Sequence, residues 1–551
     1  MPNSMPQRKK LFITKMRTRK LKTEKIENPG FPGGFSRKYL FLLSFLISLI
    51  LLGSVLAGCI RKDDVPEPSP TDTPVPTETM IPASPTPDRS DPVRTKRPKY
   101  LPGELVDYTA MDGDTLTALA ARFNTSEREI RAANPILPER VTTLPQGLPM
   151  QIPIYYRNSL GSSYKILSDA QFVYGPSDKG FSARSYTDRQ PGWFKYYNVW
   201  SDNRNLRGGE LIDYISESYS ISPRLLLAML QYLTGALTDP NYREDFNSAS
   251  VLRMPGERYK TLSGQLNQLA EFFNDHYYSY KAGNFSEYEL SDGTLVRIDP
   301  WLNACSAVLQ AYFAMIFPVR EYYEAIGPNG FVKTYQNMFG DFQSVDEYPA
   351  HLPGSLEQIE LRLPFKDGEA WTYTGGPHTA WGSMHPYAAI DFAPPANEHG
   401  CFVSLAEVIA PHSGTIVRTG TGMAMLDMDD DGDERTGWVM LFLHLKTESI
   451  LPVGTRVEMG DVLGHPSCDG GTSSGTHVHL ARKYNGEWME AGGIIPLNMD
   501  NWITESGPVK YEGKMRRFSS YVIASTSSEY FSRILAGPPT YPTPSPTPKK
   551  K

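Results

Sequence analysis

Hydrophobic and polar residues follow different patterns along the chain. Between residues 160 and 345 apolar positions fall at helical spacing, as in the run from Leu225 to Leu230. Ser222-Pro223 just before that run predicts a helix that starts with proline. Between residues 350 and 510 short apolar runs, such as Trp438 to Leu443, alternate with glycine-rich turns. The pattern predicts a multidomain protein with a mostly α-helical middle domain and an antiparallel all-β C-terminal domain.

Residues 105–153 predict a small unit of two strands and two helices. The segment Asp112-Gly113-Asp114-Thr115-Leu116 is a turn into the first helix, and the second helix ends at Asn134-Pro135. These features and the closing Ile152-Pro153 resemble the LysM module. The resemblance implies a βααβ fold that binds N-acetylglucosamine-containing glycans, here peptidoglycan. A βααβ domain without a ligand is the alternative.

Residues 1–59 carry the pattern of an export signal. A basic lead precedes the apolar stretch from Tyr39 to Gly58, and the end, Leu56-Ala57-Gly58-Cys59, resembles the lipobox of bacterial lipoproteins. The resemblance implies that Cys59 is acylated. An uncleaved transmembrane anchor is the alternative, since about 20 apolar residues span a bilayer. Either anchor places the remaining chain on the outer face of the cytoplasmic membrane, in the cell envelope.

Composition predicts a tether and argues against nucleic acid as a partner. Residues 60–100 are rich in proline, threonine and serine, which predicts a disordered linker, and the C-terminal extension 511–551 ends in a similar tail. Residues 1–38 hold eleven of the 55 Lys and Arg residues. The rest of the chain has an acidic excess of about 15, so it lacks the basic surplus that nucleic-acid binding uses.

The middle domain, residues 160–345, has no catalytic signature. The run from Ser220 to Ala228 looks like the opening of a lysozyme-like transglycosylase domain. In that family a catalytic glutamate follows shortly, before a serine and a glycine, whereas this chain has Leu233-Thr234-Gly235. We therefore predict a structural spacer or a degenerate glycan-binding domain here.

The four cysteines have three different predicted roles. Cys59 receives the lipid, and Cys305 lies in an apolar helical run and is expected to be a buried core thiol. Cys401 and Cys468 lie in the histidine-rich part of the chain, where export makes a disulfide between them permissible.

Histidine is concentrated in the C-terminal half, where nine of the ten residues lie between His351 and His479. His477 and His479 stand two apart in an apolar segment, so on a strand both rings project from one face. That geometry suits a metal site, with one ring on the ion and the other facing the chemistry beside it. Asp391 lies between two apolar residues, where an unpaired charge would be costly to bury and a metal partner would explain it.

Three motifs follow in order: Gly375-Gly376-Pro377-His378, then Leu443-His444-Leu445, then His477-Val478-His479. Together with Asp391 they resemble the lysostaphin/LytM-type zinc endopeptidases of cell-wall peptidoglycan. The resemblance implies Zn²⁺ bound by His378, Asp391 and His479, which leaves a fourth position for water. It also implies that His444 and His477 are catalytic histidines that handle the water and the tetrahedral intermediate.

The first ligand has two candidates, because this chain lacks the short His-x3-Asp spacing of most of the family. His378 is separated from Asp391 by twelve residues, and His385 by five. The Gly-Gly-x-His lead and the run Cys468-Asp469-Gly470-Gly471 resemble the β-lytic branch, where a long insert separates the two ligands. We therefore favour His378 as the ligand and expect His385 to be a non-ligand residue of the insert.

An acidic segment has two interpretations. Asp427, Asp429 and Asp431 resemble the start of a calcium loop, but Trp438 stands where such a loop has its last glutamate. The segment is therefore a solvated acidic loop or a partial Ca²⁺ site.

We predict an envelope-anchored zinc metalloendopeptidase that hydrolyses peptide bonds in peptidoglycan, for cell-wall remodelling or lysis. The competing interpretation is a catalytically inactive peptidoglycan-binding protein that activates other hydrolases, since some relatives of these peptidases lose their zinc ligands. A full ligand set can be placed in this chain, which favours activity.

Overall fold

The computed structural model describes residues 92–537, except for residues 95, 202, 242–249, 255–260, 342–343 and 528–529. The predicted export signal, Cys59 and most of the 60–100 linker lie outside the described residues, as does the end of the C-terminal tail. Within the described part of the chain, no helix combines the length and the hydropathy that a membrane crossing requires.

Residues 104–154 form two strands and two helices around a small core of their own. The elements are β1 (Glu104–Thr109), α1 (Leu116–Phe123), α2 (Glu127–Ala133) and β2 (Pro149–Ile154). β1 and β2 pair antiparallel. Thr115 caps α1, and Ser126 forms a capping box with Glu129 in α2, which satisfies backbone N–H groups at the helix starts.

Residues 160–345 fold mainly as helices. These are α3 (Ala183–Asp188), α4 (Gly208–Tyr219), α5 (Pro223–Thr234), α6 (Leu262–Lys281), α7 (Ala304–Ile316), α8 (Val319–Ala325) and α9 (Phe331–Phe339). Pro223 is the first residue of α5, and Gly235 ends it in the left-handed conformation typical of helix ends. Cys305 is fully buried in α7.

Two short hairpins in this region were not indicated by the sequence pattern. They are formed by β3 (Asn198–Ser201) with β4 (Arg204–Arg207), and by β5 (Glu287–Glu289) with β6 (Leu295–Arg297). Each strand has only three or four residues, too few to show a periodic pattern.

The C-terminal part is built on an antiparallel sheet of nine strands. Its strands and those that flank it are β7 (Ala370–His378), β8 (Ala389–Ala393), β9 (Val408–Ile409), β10 (Gly414–Gly420), β11 (Met423–Asp427), β12 (Trp438–Leu443), β13 (Arg456–Val457), β14 (Val462–Gly464), β15 (Val478–Tyr484), β16 (Glu487–Trp488), β17 (Asn498–Met499), β18 (Trp502–Ser506), β19 (Gly513–Arg517), β20 (Ser520–Ile523) and β21 (Arg533–Leu535). The order in the main sheet is β13-β10-β11-β12-β15-β8-β7-β21, with β16 paired to β15, while β9 pairs with β14.

The structure differs from the predicted boundary at residue 510. Strands β17 to β20 form a four-stranded sheet that spans this position, and β21 returns to pair with β7 at the edge of the main sheet. A three-residue strand carries no periodic signal, so the sequence could not indicate this return. Residues 511–537 therefore belong to the C-terminal fold.

The two faces of the nine-stranded sheet pack into different cores. Val478 and Leu480 of β15 pack into a core shared with the four-stranded sheet. The next residue of β15, Ala481, lies on the opposite face of the sheet. It packs with Met425 and Leu441 into the core of the helical region. The helical region and the sheet therefore share one continuous hydrophobic core on this face.

One buried ionic cluster joins all three regions. Glu487 of β16 pairs with Lys281 at the end of α6, with 2.7 Å between Nζ and Oε1. His351 lies between Glu487, whose Oε2 is 2.6 Å from its Nε2, and Asp112 of the first unit, which contacts its Nδ1. Because an unpaired buried charge is costly, these partners fix the three regions against one another.

Candidate metal centre

His378, Asp391 and His479 lie on adjacent strands of the main sheet. Asp391 of β8 is directly opposite His479 of β15, and His378 is the last residue of β7. All three are buried, and their ligand atoms lie within 4.8 Å of one another. His378 Nε2 is 3.1 Å from His479 Nδ1, and each of these nitrogens is 3.3 Å from Asp391 Oδ1. The fold thus brings the three residues of the favoured ligand set to one point.

The two glycines that precede Pro377 and His378 occupy positions where a larger side chain would not fit. A Cβ at Gly375 would lie 2.4 Å from Asp391 Oδ2, and one at Gly376 would lie 2.5 Å from the carbonyl oxygen of Glu512. Both distances are shorter than non-bonded atoms tolerate. The Gly-Gly pair therefore makes room for the carboxylate on one side and for the C-terminal sheet on the other.

The hydrogen bonds of the two rings suit them to hold a cation. His378 Nδ1 donates to the carbonyl of Gly376 at 2.8 Å, and His479 Nε2 donates to that of Ala380 at 3.2 Å. In a neutral ring the other nitrogen then carries a lone pair, and both of these nitrogens face Asp391 Oδ1, a buried atom without a hydrogen-bond partner. Three acceptors at one point suit a cation between them, and two nitrogens with one carboxylate oxygen fit zinc.

Burial and charge act in opposite directions on these groups. Burial favours the neutral carboxyl of Asp391, but the surrounding histidines, His378 first, hold its pKa well below the usual range. Burial alone would lower the pKa of His378, yet Asp391 raises it on balance, whereas burial leaves the pKa of His479 lowered. The carboxylate is therefore ionised and available to a cation.

His444 and His477 stand beside the cluster, with their ring centroids 4.5 Å apart. His444 Nδ1 donates to the carbonyl of Asp469 at 3.1 Å, and His477 Nδ1 donates to that of Gly475 at 2.7 Å. Their Nε2 atoms are therefore acceptors, and that of His477 is 3.7 Å from Asp391 Oδ1. Burial lowers the pKa of His444 to about 4, which keeps this ring neutral at pH 7.

His444 has an unusual backbone conformation. Its φ of 64° lies in the left-handed region, which residues other than glycine seldom adopt. The carbonyl of His444 accepts a hydrogen bond from Ser467 N at 2.6 Å, and the next residue, Leu445, donates to Gly422. These bonds turn the chain at the end of β12 so that the ring reaches the cluster.

His385, the alternative first ligand, is engaged elsewhere. Its Nδ1 lies 2.8 Å from a carboxylate oxygen of Asp275 in α6, and its ring stacks on Tyr387 with centroids 4.0 Å apart. It does not take part in the group of ligand atoms formed by His378 and its partners.

The cluster opens into a cavity of about 1690 Å³. Loops 394–400 and 470–477 form part of its lining, together with Trp200 and Tyr214 from the helical region. A disulfide between Cys401 and Cys468 joins the segments next to the two loops. The cavity is therefore built from both the sheet domain and the helical region, with covalently tied loops at its side.

Tyr511 is a residue of this site that sequence reasoning missed. Its ring stacks on that of His378, with centroids 4.3 Å apart and an interplanar angle of 22°. Its carbonyl accepts a hydrogen bond from Gly376 N at 2.9 Å. Tyr511 is an isolated tyrosine in the segment that we predicted to be a C-terminal extension, so no sequence motif marks it. The four-stranded sheet brings it to the site.

The acidic loop after β11 gives a calcium site no support. Asp427, Asp429 and Asp431 have carboxylate oxygens within 4.8 Å of one another. However, Asp427 accepts a hydrogen bond from Gly432 N at 2.8 Å, and Asp431 pairs with Lys179 Nζ at 3.2 Å. Burial and then Asp427 raise the pKa of Asp429 to about 7. Asp427 and Asp431 therefore have partners in the loop and in the helical region, while Asp429 is held near other carboxylates, which fits an acidic surface loop.

Known peptidases are similar in sequence to this chain. A family model described as LasA, N-terminal domain, matches residues 165–351, which is the helical region. Protease LasA of Pseudomonas aeruginosa is 22% identical over 389 residues, which cover 68% of this chain and 85% of that protein. The Beta-lytic metalloendopeptidase of Achromobacter lyticus is 28% identical over 145 residues, 24% of this chain and 35% of that protein.

A solved structure is also similar to part of this chain. The deep-sea M23 metalloprotease pseudoalterin is 24% identical, with a TM-score of 0.26, and the match covers 30% of this chain and 96% of that one. The homologues support a LytM-type metallopeptidase. With these relatives and this donor set, the chain is a zinc metalloendopeptidase.

Proposed function

We propose that this protein hydrolyses peptide bonds in peptidoglycan at the cell envelope, with zinc held by His378, Asp391 and His479. The observation that carries the proposal is the convergence of two ring nitrogens and a carboxylate oxygen beside His444 and His477 in an open cavity. The sequence resemblance to lysostaphin/LytM-type enzymes supports peptidoglycan as the substrate. The converging donor set favours an active enzyme over a hydrolase-activating protein that has lost its ligands.

The protein's own residues move the protons in this proposal. Zinc at the site would polarise the scissile carbonyl and make an attacking water more acidic. Because His444 and His477 both donate at Nδ1 to backbone carbonyls, their Nε2 atoms are free to accept the proton of that water. The Nε2 atom of His477 lies 3.7 Å from Asp391 Oδ1, next to the proposed metal position.

Proton acceptance also prepares the second half of the reaction. A neutral ring that donates at Nδ1 has no further N–H to offer. Once Nε2 has accepted a proton, the ring becomes a charged donor that stabilises the developing oxyanion or protonates the leaving amine. The same histidine therefore serves as base first and as acid afterwards.

Residues 104–154 provide targeting rather than chemistry in this proposal. Their βααβ order and capped helices support a LysM module that binds the glycan strands of the wall. The unit packs on the helical region, where Trp301 Nε1 donates to the carbonyl of Asp107 at 3.1 Å and the Trp301 ring lies 4.9 Å from that of Phe123. A glycan bound there would raise the concentration of substrate near the cavity.

Attachment to the membrane through Cys59 is part of the same proposal, and it concerns residues outside the described part of the chain. With a lipid anchor, the wild type should incorporate labelled fatty acid and begin at Cys59, whereas Cys59→Ser should incorporate none and keep residues 1–58. If the wild type incorporated no fatty acid and kept residues 1–58, the uncleaved transmembrane anchor would replace the lipid.

Metal analysis and peptide release test the proposed function together. The purified protein should bind one zinc ion per chain and release peptides from peptidoglycan sacculi, and a chelator should stop the release until zinc is restored. His477→Ala should keep its zinc and lose about 10²–10⁴-fold in kcat. His385→Ala, the matched control, should keep both zinc and activity. Zinc binding without any peptide release by the wild type would refute the proposal.

A further inference from the structure

One wall of the cavity is formed by a tryptophan from the helical region. Trp200 lies in β3 and contributes to the lining together with Asn203 in the turn that follows. Its side chain is 71% exposed, whereas tryptophan is highly buried on average. A large exposed ring inside the cavity that holds the metal cluster is therefore a candidate contact for substrate.

The hairpin is anchored on one side and leaves this ring uncovered. β3 and β4 pair antiparallel, with Trp200 opposite Asn205. The neighbouring Val199 packs against the helical core, and Leu206 of β4 is 1% exposed. The inner side of the hairpin is thus anchored and the outer side is open. A tryptophan side chain has only two torsion angles, so it loses little conformational entropy when a ligand binds.

We infer that Trp200 is a sugar-binding subsite of this cavity, on which the apolar face of an N-acetylhexosamine ring of the substrate stacks. The inference rests on the proposed function, because it names the part of peptidoglycan that the helical region contacts. It assigns a binding residue within the helical region, for which we predicted a structural spacer or a degenerate glycan-binding domain.

The chemistry of this side of the cavity favours a sugar over a peptide segment as the ligand of Trp200. One face of a pyranose ring presents C–H groups, which are attracted to the electron-rich face of an indole. The hydroxyl and amide groups at the edge of the sugar need polar partners, and Asn203, Thr372 and Thr374 line the same cavity. Stem peptides consist of small and charged residues, which offer no flat apolar face of this size.

The size of the cavity supports the same assignment. Its volume of about 1690 Å³ exceeds the roughly 300–1,000 Å³ of ordinary small-molecule pockets. A cavity of this size has room for a peptide that still carries its sugars.

A pair of soluble substrates tests the inference. One is a cross-linked muropeptide dimer whose peptides still carry their disaccharides, and the other is the same peptide dimer after an amidase has removed the sugars. Initial rates give KM and kcat for both substrates. Isothermal titration with the chelator-treated protein gives a dissociation constant that does not depend on catalysis.

Trp200→Ala should raise KM and Kd for the sugar-bearing dimer about tenfold, as expected for the loss of one stacking contact, and leave kcat unchanged. Neither value should change for the sugar-free dimer. Trp200→Phe, which keeps a flat ring, should restore most of the affinity. Tyr196→Ala is the matched control, because Tyr196 is 69% exposed in the same region but does not line the cavity.

Two results would overturn the inference and leave the proposed function intact. In the first, Trp200→Ala cleaves and binds the sugar-bearing dimer as the wild type does. In the second, Trp200→Ala weakens both dimers equally, so that the ring contributes nothing specific to the sugar. If the wild type neither binds nor cleaves either dimer, the proposed function itself fails, and the subsite with it.

Discussion

Replacing His351 with glutamine should remove a pH-dependent contribution to the stability of the protein. The side chain of His351 is 1% exposed, and its two nitrogens contact carboxylates from different regions, Asp112 in the first unit and Glu487 in the sheet. A protonated ring can donate to both carboxylates and carries the charge that balances them. Glutamine keeps a polar amide at this position but cannot titrate.

The magnitude follows from the pKa of His351. Burial lowers this pKa, but Asp112 and Glu487 together outweigh burial and raise it from 6.5 to about 9. A difference of this size corresponds to about 3 kcal/mol. Because the pKa is higher in the folded protein, the contribution is complete below pH 6.5 and is lost as the pH rises through about 9.

Urea denaturation at about pH 6 and about pH 10 measures this contribution. Between the two, the free energy of unfolding of the wild type should fall by about 3 kcal/mol more than that of His351→Gln. His412→Gln is the control, because the His412 ring donates to the backbone carbonyl of Ser413 rather than to a carboxylate. It should follow the wild type. If His351→Gln lost as much stability as the wild type over this range, the reasoning would be refuted.

Three further changes have defined outcomes. Gly375→Ala should lower zinc content and kcat/KM at least about tenfold, because its Cβ would lie 2.4 Å from Asp391 Oδ2 and displace the carboxylate that we propose as a zinc ligand. Serine at both Cys401 and Cys468 should lower the free energy of unfolding in urea by about 4 kcal/mol, because the disulfide closes a loop of 67 residues. Glu434→Gln should cost about 3–5 kcal/mol in the same assay, because it removes the carboxylate of the buried Lys483 and leaves Arg418 with only the more distant Glu217, at 4.0 Å.

Each of these changes has a matched control. Gly420→Ala should keep its zinc, since its Cβ would meet only the flexible end of Met423. Reductant should destabilise the wild type but not the double-serine variant. Glu448→Gln breaks an exposed pair with Lys446 and should leave the unfolding free energy unchanged. Full zinc content in Gly375→Ala would contradict the first prediction. The second would fail if the double-serine variant had the same free energy of unfolding as the wild type, and the third if the Glu434 and Glu448 variants lost equal stability.

Helix starts were predictable because their signals are local. Ser222-Pro223 and Thr115 each stand within one turn of the backbone groups that they organise, and the structure starts α5 and α1 there. The hairpin that carries Trp200 and the return of β21 were not predictable. Their strands have three or four residues, and their positions depend on partners far away in the chain.

The sequence by itself determined the side-chain chemistry of the site. Strand alternation puts His477 and His479 on one face, and the apolar neighbours of Asp391 require a partner for its charge. Both follow from the few residues around each position. The structure brings these three residues, with His378 and His444, to a single cavity.

Only the tertiary structure decided which distant residues meet at that cavity. His378 and His385 both precede Asp391 in the sequence, so the sequence leaves both as candidate ligands. In the structure, β7 places His378 beside His479 and Asp391. His385 instead contacts Asp275 of α6. Strand register and the packing of the helical region on the sheet arise from the burial of apolar surface over the whole molecule. No short stretch of sequence contains that information, and the same packing puts a tryptophan into the wall of the cavity.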